Sequence, residues 1–369
     1  MRLVCARALA AAVAALAFMA GEVAAAPAAA RAPAPARSGT QVAPKTPRRI
    51  RLTPPGARPR SASLLLRRYR RQQRAGLTAA RGERLRFWGV AGRDVYNPTR
   101  PFVLGGRRVL AARVESRASE TDSQIVFFEQ HGSAWRPVDD APALALQDPF
   151  VTAIGDQMVI GGVEIQEQAG GRVRYRTVFH RGRSLAGLER FAAGPWGMKD
   201  IRLAPLADGR IFVLTRPQGR RGGRGKIAYT VVDSLDRLTP QALSRGRIIE
   251  GQFLDSEWGG ANEIVPLGGD RFGVLGHIAR SGAGGNRHYY PIAFTIDAAR
   301  GTVSPTRMLV ERRDLPGGLK GASKRGDLRD VLFSGGLVRR TDGTATVYLG
   351  AGDAEVHAVE IADPFAPGE

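Results

Sequence analysis

The feature that most constrains this chain is a recurrence. An acidic residue at the head of a short apolar run returns at positions 94, 148, 200, 263 and 330, in Asp94-Val95-Tyr96, Asp148-Pro149-Phe150-Val151, Asp200-Ile201-Arg202-Leu203, Glu263-Ile264-Val265 and Asp330-Val331-Leu332-Phe333. Each run is followed by a tight-turn signal (Gly105-Gly106, Gly155-Asp156, Asp208-Gly209, Gly268-Gly269-Asp270, Asp342-Gly343) and then another apolar run. Between them lie β-branched and aromatic stretches such as Ile125-Val126-Phe127-Phe128 and Ile227-Ala228-Tyr229-Thr230-Val231-Val232, with no sustained helical period. Five units of this size predict an all-β fold, a five-bladed β-propeller over residues 86–369, because radial repetition of small sheets protects their edges. A large β-sandwich is the alternative, but it predicts no regular return of an acidic residue.

If the recurrent acids begin the innermost strands, Asp94, Asp148, Asp200, Glu263 and Asp330 converge on a central channel. Several carboxylates around a funnel suit a polyhydroxylated ligand, and a pair of them can do acid/base work on a glycosidic bond. The competing reading is that an Asp before a strand caps a turn or bonds to neighbouring backbone.

Charge is distributed unevenly. Residues 1–90 hold 18 Lys and Arg against 2 Asp and Glu, whereas residues 91–369 hold 37 against 32, so a net charge of +21 describes a basic leader on an almost balanced body. That distribution argues against nucleic-acid recognition, which places its excess on the folded domain. Arg2 and Arg7, the alanine-rich run Ala8 to Ala20 and the small residues to Ala26 predict a signal peptide over 1–26 and an exported protein, periplasmic or secreted. Cleavage there removes the single cysteine, Cys5. Residues 27–85, rich in Ala, Pro and Arg, predict a disordered linker. Within it Leu64 to Arg74 has the pattern of a short basic helix, and the linker as a whole is a candidate contact for an anionic envelope polymer or lipid.

Several motifs are set aside. Gly219 to Ile227 resembles a phosphate loop, but Arg220 replaces its first glycine and Ile227 its Ser or Thr. The five histidines have no metal-ligand spacing, and neither a metal nor a cofactor is expected. His277 and His288 are candidates to contact sugar or phosphate, and Trp196 and Trp258 to stack on a sugar ring or to pack between blades.

The unit Asp330 to Val338 followed by Val347 to Asp353 resembles the closing blade of β-mannoside phosphorylase-type propellers, a group related to arabinanase-like and invertase-like hydrolases. Gln147-Asp148-Pro149 resembles their acid-bearing Glu-Asp-Pro-Arg segment, with Phe150 where that segment has its Arg. From about Tyr96 to Phe365 the chain also resembles a domain-of-unknown-function family of such propellers, through Val114-Glu115-Ser116-Arg117, Met198 to Arg202, Thr215 to Gly219, Trp258 to Glu263 and Asn286 to Pro291. The resemblance implies a general acid at Asp148. A second carboxylate for water activation comes from Asp94, Asp200 or Glu263, or a cationic phosphate pocket from Lys199, Arg202, Arg216, His277 and His288. Asn97, Arg113, Glu115, Glu164, Trp258, Asn262, Tyr289, Asp330 and Asp353 complete the expected substrate contacts. The function so implied is that of a glycoside hydrolase or phosphorylase. The alternative is a non-catalytic glycan-binding or envelope-associated propeller.

Overall fold

Why these runs become strands is clear from their burial: Ile211–Thr215 is buried at every position, as expected of strands covered on both faces, which read as continuous apolar runs. The computed structural model describes residues 50–53, 59–76, 80–90 and 92–366. The expected signal peptide over 1–26 lies outside them.

The strands form five successive antiparallel meanders. The first runs through Asp94–Tyr96, Arg107–Glu115, Gln124–His131 and Ala134–Pro137, with Phe102–Leu104 and Arg86–Phe87 added to it. The second comprises Gln147–Ile154, Gln157–Gln168, Arg172–Gly182 and Glu189–Ala193. Arg202–Pro205, Ile211–Thr215, Ala228–Val232 and Arg247–Ile248 make the third. The fourth contains Glu257–Pro266, Arg271–Ser281 and Arg287–Asp297, flanked by Thr302–Val303 and Arg307–Met308. The fifth, Asp330–Arg339, Thr344–Ala351 and Glu355–Ala362, takes its outer strand, Arg81–Arg84, from the other end of the chain. A short parallel pairing, His288 with Asp330 and Tyr289 with Val331, joins the fourth and fifth into one nine-stranded sheet.

Packing is cyclic. One apolar cluster lies between the first and second meanders (Ile125 and Phe127 with Ile160 and Val178), one between the second and third (Phe150 and Phe179 with Ile201 and Val213), and one between the third and fourth, where Phe212 and Phe272 stack at 5.2 Å. Leu275 and Ala293 of the fourth meet Leu332 and Val347 of the fifth, and Val356 of the fifth meets Val95 and Leu110 of the first. The first strands of the second to fifth meanders lie beside one another in sequence, and those of the fifth and second also meet. Gly335 sits at the junction of the fifth and first meanders, where a Cβ would fall 1.4 Å from the Pro98 carbonyl oxygen, so no larger residue fits.

The reading of 27–85 as disordered linker needs correction for part of its length. Residues Ala62–Arg74 form a helix capped by Ser61, whose hydroxyl accepts the Leu64 amide at 3.1 Å. Ala62, Leu65 and Tyr69, at i, i+3 and i+7, make one buried stripe. Tyr69 donates to Asp314 at 2.7 Å, Gln73 donates to the other Asp314 oxygen at 2.8 Å, and Arg70 pairs with Glu311 through two nitrogens. The stretch has few large apolar groups, but three on one face with polar ends anchored to the body suffice. Among the described residues no helix is long and apolar enough to cross a membrane.

Candidate functional site

Among the described residues, four other than glycine have a left-handed backbone, Asn97, Asp148, Asp200 and Asp353, at φ of 46°, 48°, 57° and 52°. All four line one cavity of about 180 Å³ at the centre of the meander ring. Asn and Asp tolerate this conformation better than other side-chain-bearing residues, and strain of this kind concentrates where a side chain must be aimed. At Asp148 the local device is a break in the ladder, one that recurs in two other first strands. Register slips at Asp148, at Asn262 and at Gly335 in the first strands of the second, fourth and fifth meanders. A bulge of this kind re-aims the residue it carries.

The carboxylates in the cavity differ in character. Asp148 is buried, which alone would raise its carboxyl, but Arg113, Lys199 and the Asn97 amide hold it below the ordinary carboxylate range. Asn97 Nδ2 donates to Asp148 Oδ1 at 2.8 Å, and Arg113 Nη1 lies 3.3 Å from the same oxygen. Burial opposes ionisation of Asp200 too, and is outweighed by Arg216, at 3.1 Å, with Lys199. Gly260 permits that placement, since a Cβ there would come within 2.6 Å of Asp200 Oδ2. Asp353 goes the other way. Burial pushes it up to about 6 against the pull of Arg113, with the neighbouring Asp148 charge adding to the rise.

The cationic and aromatic walls are held from behind. Arg216 Nε donates to the Gly259 carbonyl at 2.8 Å, and Arg113 donates to Glu115 at 2.6 Å while its guanidinium lies over the Tyr96 ring. Lys199 has no hydrogen bond or ion pair with any described residue. Burial, reinforced by Arg216 and Lys199, pushes His277 down to about 3, so its ring is neutral. Its Nδ1 lies 2.9 Å from Asn262 Oδ1, an acceptor, which leaves Nε2 as the ring's free acceptor. Tyr289 stacks on His277 and accepts a hydrogen bond from Trp258 Nε1 at 2.9 Å.

Of the residues expected from sequence, Asp148, Asp200, Asn97, Arg113, Lys199, Arg216, His277, Tyr289 and Asp353 line the cavity. The others sit elsewhere. Asp94 is paired with Arg117 at 2.6 Å, outside the cavity lining. Glu263, one residue past its bulge, faces Arg100 at 2.6 Å and the Leu337 amide at 2.7 Å, and burial pushes it up to about 7 despite both. Asp330 accepts from His288 Nδ1 at 2.6 Å and from the Tyr290 hydroxyl at 2.8 Å, and neither Asp330 nor His288 lines the cavity. Glu164 is held by Arg176 and Arg190 on the second meander. Glu115, Asn262 and Trp258 act from behind the wall, on Arg113, His277 and Tyr289. Arg202 is buried over the Phe150 ring and donates to the Asn262 and Ile201 carbonyls. Trp196, 37% exposed, is covered by Arg174 and Arg176 rather than free to stack on a sugar.

Sequence reasoning missed several lining residues. Tyr96 and Gln147 immediately precede Asn97 and Asp148, a signal that was available. Glu120, Arg325 and Leu328 come from loops without any repeat, and they close one side of the cavity: Arg325 pairs with Glu120, and Lys324 reaches across to Glu115 and the Ser119 carbonyl. Among the described residues no group of three or more His, Cys, Asp or Glu could hold a metal ion.

With this geometry in place, known proteins give context. A mannose phosphorylase from Leishmania mexicana, MPT-4, whose structure contains a phosphate ion, is 28% identical, aligns over 81% of this chain and 93% of its own, and superposes with a TM-score of 0.74. MPT-1 of the same organism, a GDP-Man-dependent mannosyltransferase, is also 28% identical over 82% and 96% of the two chains, with a TM-score of 0.73. A β-1,2-mannobiose phosphorylase from Listeria innocua shares the fold at 14% identity, covering 76% and 90%, with a TM-score of 0.54. No curated protein matches the chain. The fold is therefore one used by carbohydrate-active proteins, mannoside phosphorylases among them. A family model described as "Protein of unknown function (DUF1861)" matches residues 71–367, and the chain belongs to that family.

Proposed function

We propose that this protein is a five-bladed β-propeller that transfers a glycosyl unit, of the mannose type, at its axial cavity. The observation that carries the reading is the convergence of Asn97, Asp148, Asp200 and Asp353, all in left-handed backbone, on one polar cavity where burial and fixed charges drive Asp148 and Asp353 in opposite directions. Carboxyl groups pushed apart in this way divide the acid and base roles between them.

In this reading Asp353, which burial keeps protonated up to about pH 6, donates its proton to the glycosidic oxygen as the bond from that oxygen to the anomeric carbon breaks. Asp148 and Asp200 stay ionised and accept hydrogen bonds from sugar hydroxyls. The acid role that the family resemblance gives to Asp148 thus passes to Asp353, because Arg113 and Lys199 favour the charged form of Asp148. Phosphate is the acceptor favoured by Lys199, whose charge acts on Asp148 and Asp200 but which makes no hydrogen bond or ion pair with a described residue, and by Arg216, both at the cavity wall. A phosphate oxygen then bonds to the anomeric carbon and the product is a sugar phosphate. The likeness to MPT-4 supports this choice. Phe150, where phosphorylase-type segments carry Arg, favours a second reading, hydrolysis, in which Asp148 or Asp200 activates water.

The test is to incubate the full protein with β-mannosides, arabinans and fructans, with and without phosphate, beside Asp353→Asn and Asp148→Asn. Sugar phosphate released from a mannoside, lost in Asp353→Asn, is the expected result. Release without phosphate moves the assignment to a hydrolase, and saturable binding with no product moves it to a glycan-binding propeller.

A further inference from the structure

Between Glu22 and Glu83 the chain contains fourteen Arg and Lys and not one Asp or Glu. In the described part of this stretch, helix Ala62–Arg74 turns its apolar stripe of Ala62, Leu65 and Tyr69 into the body, and Arg70 pairs with Glu311. Arg67, Arg71 and Arg74, at i, i+4 and i+7, share one face of the helix, with Arg68 beside them. All four are exposed, and none has a hydrogen bond or ion pair from its side chain to a described residue. The helix holds no acid to neutralise them.

We propose that this arginine face docks the protein electrostatically on an anionic phospholipid surface. Two features of the helix select that partner. Its apolar stripe is used up in packing against the body, so it cannot insert into the acyl region as an amphipathic interfacial helix does. Fixed to a folded body, its row of arginines from Arg67 to Arg74 spans about 10 Å at 1.5 Å of rise per residue, a preformed array that meets a plane of headgroups without first ordering a flexible tail. Guanidinium groups also bind phosphate oxygens in bidentate fashion, which suits a phospholipid headgroup. Each basic residue near such a surface strengthens attachment by about fivefold, so the four together dominate the contact of the helix.

The test is co-sedimentation of the full protein with vesicles of phosphatidylcholine alone and of phosphatidylcholine with phosphatidylglycerol, in low and high salt. Arg67, Arg68, Arg71 and Arg74 are replaced together by Glu in one variant and by Gln in a second. The expected result is binding to the anionic vesicles only, its loss in high salt as screening shortens the range of the charges, and a loss of at least about tenfold in both variants with the thermal melt retained. Should the Glu variant fail to fold, the Gln variant is read alone against the same threshold. Equal binding to both vesicle types overturns the proposal. So does binding unchanged by the substitutions, which assigns it to other basic residues of the chain. Binding to a soluble sulfated polysaccharide with none to anionic vesicles overturns it as well, in favour of a polymer partner.

Discussion

Asn97 donates a hydrogen bond from its amide to Asp148 at 2.8 Å, bridging the first and second meanders through two side chains that each stand on left-handed backbone. Neither residue could be so placed on a regular strand. The bond therefore ties the aim of Asp148 to the joint between two sheets as well as to its own bulge. Asn97→Ala is expected to leave the fold intact while lowering kcat by about tenfold to a hundredfold, since one positioned donor to a charged group is lost. Asp148→Asn, which abolishes the charge that Arg113 and Lys199 face, is expected to cost more, about a hundredfold or above. Steady-state kinetics on the substrate found active, with circular dichroism as the control for folding, decides the order of the two effects.

A pH profile tests the division of roles. Asp353 must be protonated to donate, and burial sets it near 6, so kcat/KM is expected to fall as pH rises through about 6. Asp148 and Asp200 are held below the usual range, so the acid limb lies under the ordinary carboxylate value. Asp353→Asn removes the falling limb together with most of the activity. Stability follows the same sign: a carboxyl raised on folding contributes fully below its unfolded value and loses that contribution as pH climbs through the folded value. A profile whose alkaline limb is unchanged in Asp353→Asn assigns the proton donor to another group.

The amino-terminal helix is expected to be part of the folding unit. Leu65 is 3% exposed and belongs to the apolar cluster between the third and fourth meanders. Leu65→Ala should destabilise the protein by about 2–5 kcal/mol, read as a drop in the urea midpoint. A midpoint unchanged from wild type would return residues 62–74 to the status of an independent tail.

What was legible in the sequence, and what was not, divides along a physical line. Turn glycines and β-branched runs announced the meanders, because strand formation depends on local residue chemistry. Asp148 and Asp200 reach the cavity from the expected positions because an acid happens to occupy the aimed position in those two units. Asp94, Glu263 and Asp330 were misaligned by three, one and five residues against Asn97, Asn262 and Gly335, since what the position selects is a residue that tolerates an irregular backbone, and Asn or Gly serves as well as Asp. Asn262 and Gly335 stand just ahead of apolar pairs and were open to a search for Asn, Asp or Gly there, whereas Asn97 closes its run, Val95-Tyr96, and escapes such a search. Glu120, Arg325 and Leu328 had no such signal, for loops that meet only in the folded chain leave no period in the sequence. The helix was undervalued for a related reason: composition averaged over 27–85 hides a three-residue stripe and two polar anchors, Tyr69 to Asp314 and Arg70 to Glu311, that reach some 240 positions along the chain.

Gly260 gives the sharpest test of the cavity, because its substitution touches a carboxylate without removing it. The residue lies in the first strand of the fourth meander, and its φ is not in the left-handed region, so alanine meets no backbone objection there. The added methyl would instead lie 2.6 Å from Asp200 Oδ2 and 3.1 Å from Arg216 Cδ. Both side chains are buried and paired at 3.1 Å, so one must move and the pair must lengthen. If Asp200 and Arg216 form the floor on which substrate is oriented, Gly260→Ala lowers kcat/KM by about tenfold or more, as small misplacements of catalytic groups do. Destabilisation of about 1–3 kcal/mol is expected alongside, the usual cost of overpacking. The two effects separate by temperature, since assays well below the melt report only the geometry. Full activity in a folded Gly260→Ala protein would show that the Asp200 and Arg216 pair has no part in the chemistry, and would leave the reaction to Asp148, Asp353 and Lys199 on the other walls.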